Sequence, residues 1–238
     1  MQFFHCGDDE KMSRAAARAI LAHIQKNPRA CLGIATGNSP ARCYELLAEH
    51  ARVSPGFFDQ TTLVQLDEWV GLAPDHPASC AFYIRKKLLE PLGLSPENAF
   101  LFNGAHPHPA TECRRANDFL DARNGLDLCI LGVGKNGHLG FNEPATRFSK
   151  RTHLTPLEPL TQTHAMVKNV ALKPTFGISL GMEDLTRARH ICLLFSGAGK
   201  GNVYRFLQTR EVSPSVPVSA LWAHPDTQCF VGDIRDAD

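Results

Sequence analysis

A chain of 238 residues with 25 basic and 24 acidic side chains carries a net charge of +1 and no basic run, which argues against nucleic acid or an anionic membrane as partner. At 43% hydrophobic and 21% charged it has the composition of a soluble globular protein. No apolar stretch approaches the ~20 residues of a membrane span, and Met1-Gln2-Phe3-Phe4-His5 is no signal-peptide start.

Residues 8–26 predict a helix, because Met12, Ala16, Ile20 and Ile24 recur at four-residue spacing and Asn27-Pro28 ends the run. Residues 30–35 form a short apolar strand. Thr36, Gly37, Asn38 and Ser39 then lead into a helix over about 40–50, with Ser39 expected as its cap and Pro40 at its first position. A second strand, 62–66, runs straight into Asp67-Glu68. Pro74, Pro77 and Ser79 mark a loop, and a helix follows to about Leu89.

Residues 99–102 read as a strand, 103–109 as loop, and 112–123 as helix. The apolar run 126–131 stops at a glycine-rich turn, as a buried parallel strand does at its sheet edge. Residues 144–160 are polar and broken by Pro156 and Pro159, which predicts a long surface segment or lid. A strand at 190–195, a helix opened by 196–200 and running to about Leu207, and a last strand at 227–231 complete the chain. Alternating strands and helices predict an α/β fold: a doubly wound, mostly parallel sheet with helices on both faces, in one domain over 1–238. The eight cysteines are scattered, mostly in apolar runs, and none has C-x-x-C spacing. Reduced core thiols in a cytoplasmic protein are therefore expected, with no disulfides and no zinc site.

Open parallel sheets bind ligands beyond the C-terminal ends of their strands. Four strand ends here carry chemistry: residues 36–39, Asp67-Glu68, residues 134–143 and residues 196–200. The first and last place small residues before a helix, where free N–H groups and the positive helix end suit a phosphate, and Lys200 adds a charge. Neither is a nucleotide P-loop, since 197–201 lack both its spacing and the Ser or Thr after Lys. Gly132-x-Gly134-x-x-Gly137 matches the dinucleotide fingerprint only formally: no helix start follows, and Glu158, the acid nearest the right distance, lies between two prolines. A nicotinamide cofactor is therefore not expected.

Taken singly, each feature has a plainer reading. The small-residue turns serve as strand-to-helix connections, Lys200 as a surface lysine, Asp67 as a cap or ion-pair partner, and His138 as a structural histidine. His106 and His108 read as surface residues, with no nearby acid or cysteine to complete a metal set. The sharper reading comes from coincidence: phosphate-type turns, a rim carboxylate, and His138 with Glu143 five residues on, all at one sheet edge.

Residues 66–72 (Leu-Asp-Glu-Trp-Val-Gly-Leu) and 134–144 (Gly-Lys-Asn-Gly-His-Leu-Gly-Phe-Asn-Glu-Pro) resemble the glucosamine-6-phosphate deaminase/isomerase family, whose relatives include 6-phosphogluconolactonase. The similarity runs from about Cys31 to Trp222. The Asn142-Glu143-Pro144 ending is that of the deaminases; lactonases keep Gly-His but differ beyond it. Lys135-Asn136 before Gly-His is most similar to the galactosamine-6-phosphate branch.

The resemblance implies a cytoplasmic enzyme that needs no cofactor or metal and converts an amino sugar phosphate to a ketose 6-phosphate and ammonia. A homo-oligomer is compatible with it. It assigns ring opening to His138, transfer of the C2 proton to Asp67, and orientation of His138 to Glu143. The phosphate falls to Thr36, Gly37, Asn38, Ser39 and Lys200. The chain departs from the family at three points. Asn136 stands where glucosamine-type members have Asp, the phosphate-binding arginine has no clear match beyond Lys168 or His164, and His153 and Thr155 replace the basic residues of allosteric members. No activation by an N-acetylamino sugar phosphate is therefore expected. A lactonase and a non-catalytic sugar-phosphate sensor are the alternatives.

Overall fold

The structure, a computed structural model, describes residues 1–235. Its strands are β1 (Gln2–His5), β2 (Cys31–Ile34), β3 (Thr62–Gln65), β4 (Asp67–Trp69), β5 (Ala99–Phe100), β6 (Leu128–Gly132), β7 (His153–Pro156), β8 (Phe176–Ser179), β9 (His190–Ala198) and β10 (Thr227–Arg235). Its helices are α1 (Asp9–Lys26), α2 (Asn38–Val53), α3 (Cys80–Ile84, continued as a wider π-turn over Arg85–Leu89), α4 (Pro109–Asp121), α5 (Pro159–Gln162), α6 (Met182–Thr186) and α7 (Gly201–Gln208).

Seven strands form one sheet in the order β1-β10-β9-β6-β2-β3-β5, each neighbouring pair parallel. From β2 the chain winds outward through β3 to β5, then returns across β2 to β6 and winds the other way through β9 to β10. The expected doubly wound fold is present, and its direction reverses between β2 and β6, where such sheets open a crevice. Strand residues alternate between two apolar layers, so both faces must be covered. Leu128 and Ile130 of β6 pack with Met12, Ile20 and Ile24 of α1 and Tyr44 and Leu47 of α2. Cys129 and Leu131 pack on the opposite face with Ala116 and Leu120 of α4 and Val203 and Leu207 of α7. α1 starts where the sequence places it, because the Asp8 side chain accepts from the Lys11 N–H at 2.7 Å and closes the first turn. All eight cysteines are unpaired, and only Cys6 is not fully buried. No helix among the described residues is long and apolar enough to cross a membrane.

Four local expectations are corrected. The second strand does not run straight into Asp67 and Glu68: it ends at Gln65, and Asp67–Trp69 turn away as β4 in a separate antiparallel sheet, β4-β8-β7. Residues 144–160 are not wholly a surface segment, since β7 lies within them and pairs with β8, a strand the sequence reading omits. Ser39 does not cap α2. Gly37, at φ 109°, is the cap residue, α2 begins at Asn38, and Pro40 is therefore not at its first position. Finally, β9 continues through Ala198, so the last phosphate-type turn shrinks to Gly199 and Lys200 before α7. β1, pairing at the sheet edge with β10, is likewise absent from the sequence reading because its four residues are only half-buried.

Candidate active site

Asp67 opens β4 just beyond the end of β3 and is 7% exposed. Its Oδ1 is buried without a hydrogen-bond partner among the described residues. Burial, reinforced by the neighbouring charge of Glu68, pushes the Asp67 carboxyl up to about 7. Burial raises Glu68 as well, but four N–H groups oppose it: the backbone amides of Trp69, Cys80 and Ala81 and the Gln65 side chain. A proton shared by this pair therefore goes to Asp67, whose Oδ1 has no donor. A Cβ added at Gly140 would lie 3.6 Å from Asp67 Oδ2 and 2.9 Å from Ser179 Oγ, so the glycine turn after β6 comes directly against the carboxylate.

His138 stands on that same turn. A Cβ at Gly134 would lie 2.3 Å from His138 Nε2, so glycine there makes room for the ring. His138 Nδ1 reaches Glu143 Oε2 at 3.2 Å. Burial alone raises Glu143, but hydrogen bonds from His138, Thr161 and Asn136, with the imidazole's charge, hold it below the usual carboxylate range. An ionised carboxylate only accepts, so Nδ1 carries the proton and Nε2 is left as the reactive nitrogen. Asn136 Oδ1 accepts from the His138 backbone N–H at 3.2 Å and Nδ2 donates to Glu143 Oε2 at 2.9 Å. It braces the pair from both sides. Thr161 Oγ1 donates to the other Glu143 oxygen at 2.5 Å.

The two phosphate-type turns also meet. Lys200 Nζ donates to Ser39 Oγ at 3.2 Å, across the ends of β9, β6 and β2. Burial, helped by Lys135 and opposed by Asp9, lowers Lys200 to about 8. The N–H groups in the first turn of α2, Pro40 excepted, are left without an intrahelical acceptor beside the Ser39 hydroxyl that Lys200 reaches. Thr36 is partly committed elsewhere, donating to Cys80 Sγ at 3.5 Å, and Asn38 is exposed. The Gly37 carbonyl accepts from Tyr83 at 2.9 Å. Gly199 does not offer a free N–H, since it donates to the Arg235 carbonyl at 2.9 Å.

The structure thus gathers Asp67, Gly140, His138, Glu143 and Asn136 around one turn, and Thr36, Gly37, Ser39 and Lys200 around another. Neither stand-in for the missing arginine joins Lys200. His164 packs near Trp69, ring centroids 6.0 Å apart, within electrostatic reach of His138. Lys168 is exposed, its carbonyl accepting from Lys173. Lys135, which the sequence reading mentions only as part of a motif, is the cation that interacts with Lys200. Its place on the turn after β6, between the ends of β2 and β9, was legible in strand order but not in spacing. Thr161 and Tyr83 were also missed, because their partners lie 18 and 46 residues away; Gln65 was missed because its bonds to Asp67 and Glu68 depend on the corner between β3 and β4. His153 and Thr155 line a small cleft with Arg147, Asn142 and Glu143. No group of three His, Cys, Asp or Glu side chains among the described residues is placed to hold a metal ion. A buried base near neutrality, an imidazole–carboxylate pair and a cationic turn can together move protons along an anionic small molecule.

The chain is similar to known proteins over nearly its whole length. The family model described as glucosamine-6-phosphate isomerases/6-phosphogluconolactonase matches residues 8–230. An Escherichia coli (strain K12) protein named "Putative deaminase AgaI" is 36% identical, covering 92% of this chain and 87% of its own. A glucosamine-6-phosphate deaminase of Bacillus pumilus (strain SAFR-032) is also 36% identical, covering 97% of both chains. A solved structure described as a monomeric glucosamine-6-phosphate deaminase of the NagB superfamily superposes with a TM-score of 0.91 at 32% identity, over 98% of this chain and 97% of the other.

Proposed function

This chain belongs to the family of glucosamine-6-phosphate isomerases and 6-phosphogluconolactonases, and we propose that it isomerises and deaminates a hexosamine 6-phosphate, with galactosamine 6-phosphate the preferred substrate. One observation carries the reading: Asp67 combines burial, an unpartnered Oδ1 and a proton affinity near neutrality beside the His138–Glu143 pair. A base that shuttles one proton between adjacent carbons needs those properties.

In this proposal the 6-phosphate lies on the first turn of α2 and on Lys200, anchoring the sugar with C1 and C2 toward the turn at 134–140. His138 Nε2 takes the proton of the anomeric hydroxyl and delivers it to the ring oxygen, opening the ring. Glu143 stabilises the transient positive charge on His138, and Asn136 and Thr161 keep Glu143 in place. Asp67 then removes the C2 proton while O1 takes up the proton that the substrate's ammonium gives up, giving an enolamine, and Asp67 returns its proton to C1. The resulting ketimine adds water at C2 and expels ammonia, so the C–N bond is hydrolysed and a ketose 6-phosphate remains.

Lys135-Asn136 before the histidine supports the galactosamine preference; relatives named for glucosamine 6-phosphate support the wider class. Activation by an N-acetylamino sugar phosphate is not part of the proposal, because His153 and Thr155 offer no fixed positive charge. A homo-oligomer is not proposed either, since the solved deaminase is described as monomeric. Solved lactonases, such as that of Trypanosoma brucei at 15% identity and a TM-score of 0.74, share the fold alone. The test is ammonia release from galactosamine 6-phosphate and glucosamine 6-phosphate side by side, with 6-phosphogluconolactone as third substrate. Higher kcat/KM on the first supports the full reading, equal rates on both hexosamines remove the preference, and lactone hydrolysis alone overturns the deaminase.

A further inference from the structure

Glu68 performs none of the proton transfers described above, yet it is fully buried and fully engaged. The amides of Trp69, Cys80 and Ala81 and the Gln65 Nε2 each donate to it at 2.9 Å. Gln65 also donates to the Asp67 carbonyl at 2.7 Å and accepts from the Phe102 N–H at 2.9 Å, tying the corner between β3 and β4 to the segment after β5. Cys80 and Ala81 open α3, and α3 also grips the phosphate turn: Thr36 Oγ1 donates to Cys80 Sγ at 3.5 Å and Tyr83 to the Gly37 carbonyl at 2.9 Å. Base and phosphate turn hang from the same helix.

We infer that Glu68 is a positioning residue: by holding the Asp67 backbone on the first turn of α3, it sets the span between the C2 base and the turn that cradles the phosphate. The inference rests on the reading of Asp67 as base. Since Asp67 Oδ1 has no hydrogen bond of its own, the direction of that carboxylate is set by the backbone that Glu68 and Gln65 fix. Glu68 also acts by charge. The titratable groups that face Asp67 are Glu68 on its own strand and the Cys80 thiol on α3, which burial keeps neutral; Gly140 and Ser179 on the remaining sides carry none.

The experiment measures ammonia release and C2-hydrogen exchange across pH for wild type, Glu68→Gln and Glu68→Asp, each first shown to be folded by circular dichroism and thermal melting. Glu68→Gln is expected to lose kcat on the order of 10²-fold through misplacement of the base. Its KM should change by less than about threefold, the cradle itself being kept. Its acidic limb should move to lower pH, since a like charge beside Asp67 is gone. Glu68→Asp keeps the charge but is too short for α3, so kcat falls while the limb stays. A folded Glu68→Gln with wild-type kcat and an unmoved limb overturns the inference. If Glu68→Gln does not fold, Glu68→Asp decides: wild-type kcat overturns it, and a fall with the limb in place supports it. Wild-type protein without ammonia release would instead overturn the deaminase reading itself.

Discussion

Asn136 donates from Nδ2 to Glu143 Oε2 at 2.9 Å, the same oxygen that His138 Nδ1 reaches at 3.2 Å. The amide that departs from the glucosamine-type pattern is thus a brace and not a gap. An aspartate in this geometry would set two carboxylates against each other unless one were protonated or turned away. Asn136→Ala is expected to lower kcat about 10- to 100-fold, the cost of a loosened acid–base pair, with little change in KM. Steady-state kinetics check it; an unchanged kcat would reduce Asn136 to a turn residue.

Asp67→Asn removes the proposed C2 base and should cost 10²–10⁴-fold in ammonia release, the usual range for a positioned acid–base group. Sugar phosphate binding, read by isothermal titration, should survive. Retained turnover would take Asp67 out of the chemistry.

The same substitution makes a stability prediction with a definite sign. Asp67 is raised from 3.8 to about 7 on folding, so the folded state binds its proton more tightly. Its contribution to stability is present at low pH and lost as pH rises through about 7. At about pH 8 the ionised, buried carboxylate costs up to about 4 kcal/mol, and Asp67→Asn should melt several degrees above wild type. The difference should narrow toward about pH 5; a variant that melts lower at pH 8 contradicts the burial argument.

In the proposed reaction, two groups are expected to shape the pH profile of kcat/KM. Asp67 must be ionised to take a proton, which gives a rising limb near 7. Lys200 must be charged to meet the phosphate, and burial lowers it to about 8, which gives a falling limb there in the free enzyme. A narrow bell follows. A profile flat from 6 to 9 would exclude both assignments.

Lys200→Ala should raise KM well over tenfold while kcat falls less, because a uniform binding contact is lost. A parallel rise, smaller and sensitive to salt, is expected for the exposed Lys135→Ala. Unchanged KM in Lys200→Ala would remove that lysine from the site.

The winding of the sheet and the long helices were legible because apolar periodicity is a local signal that tertiary packing reinforced. Short elements whose partners are distant were not. β4 is three residues long and exists only because β8 pairs with it, more than a hundred residues on. Ser39 met every local criterion for a cap, but Gly37 took the cap position and left that hydroxyl to Lys200. At the site, Asp67, His138 and Glu143 stood out by residue type and strand end. The bonds that make them a unit, from Gln65, Asn136 and Thr161, follow from folding rather than spacing.

The position of β1 bears on how this chain comes to be assembled. Among the described residues β1 pairs only with β10, Gln2 opposite Gln228, so this pairing joins two segments more than two hundred residues apart. Loop closure over more than two hundred residues makes that pairing slow. Until it happens β10 is an open edge, able to accept a strand from another molecule. Shortening the chain before Thr227 would leave β1 with no sheet to join and turn β9 into the exposed edge. Completion of the sheet is thus a step at which this fold is open to aggregation.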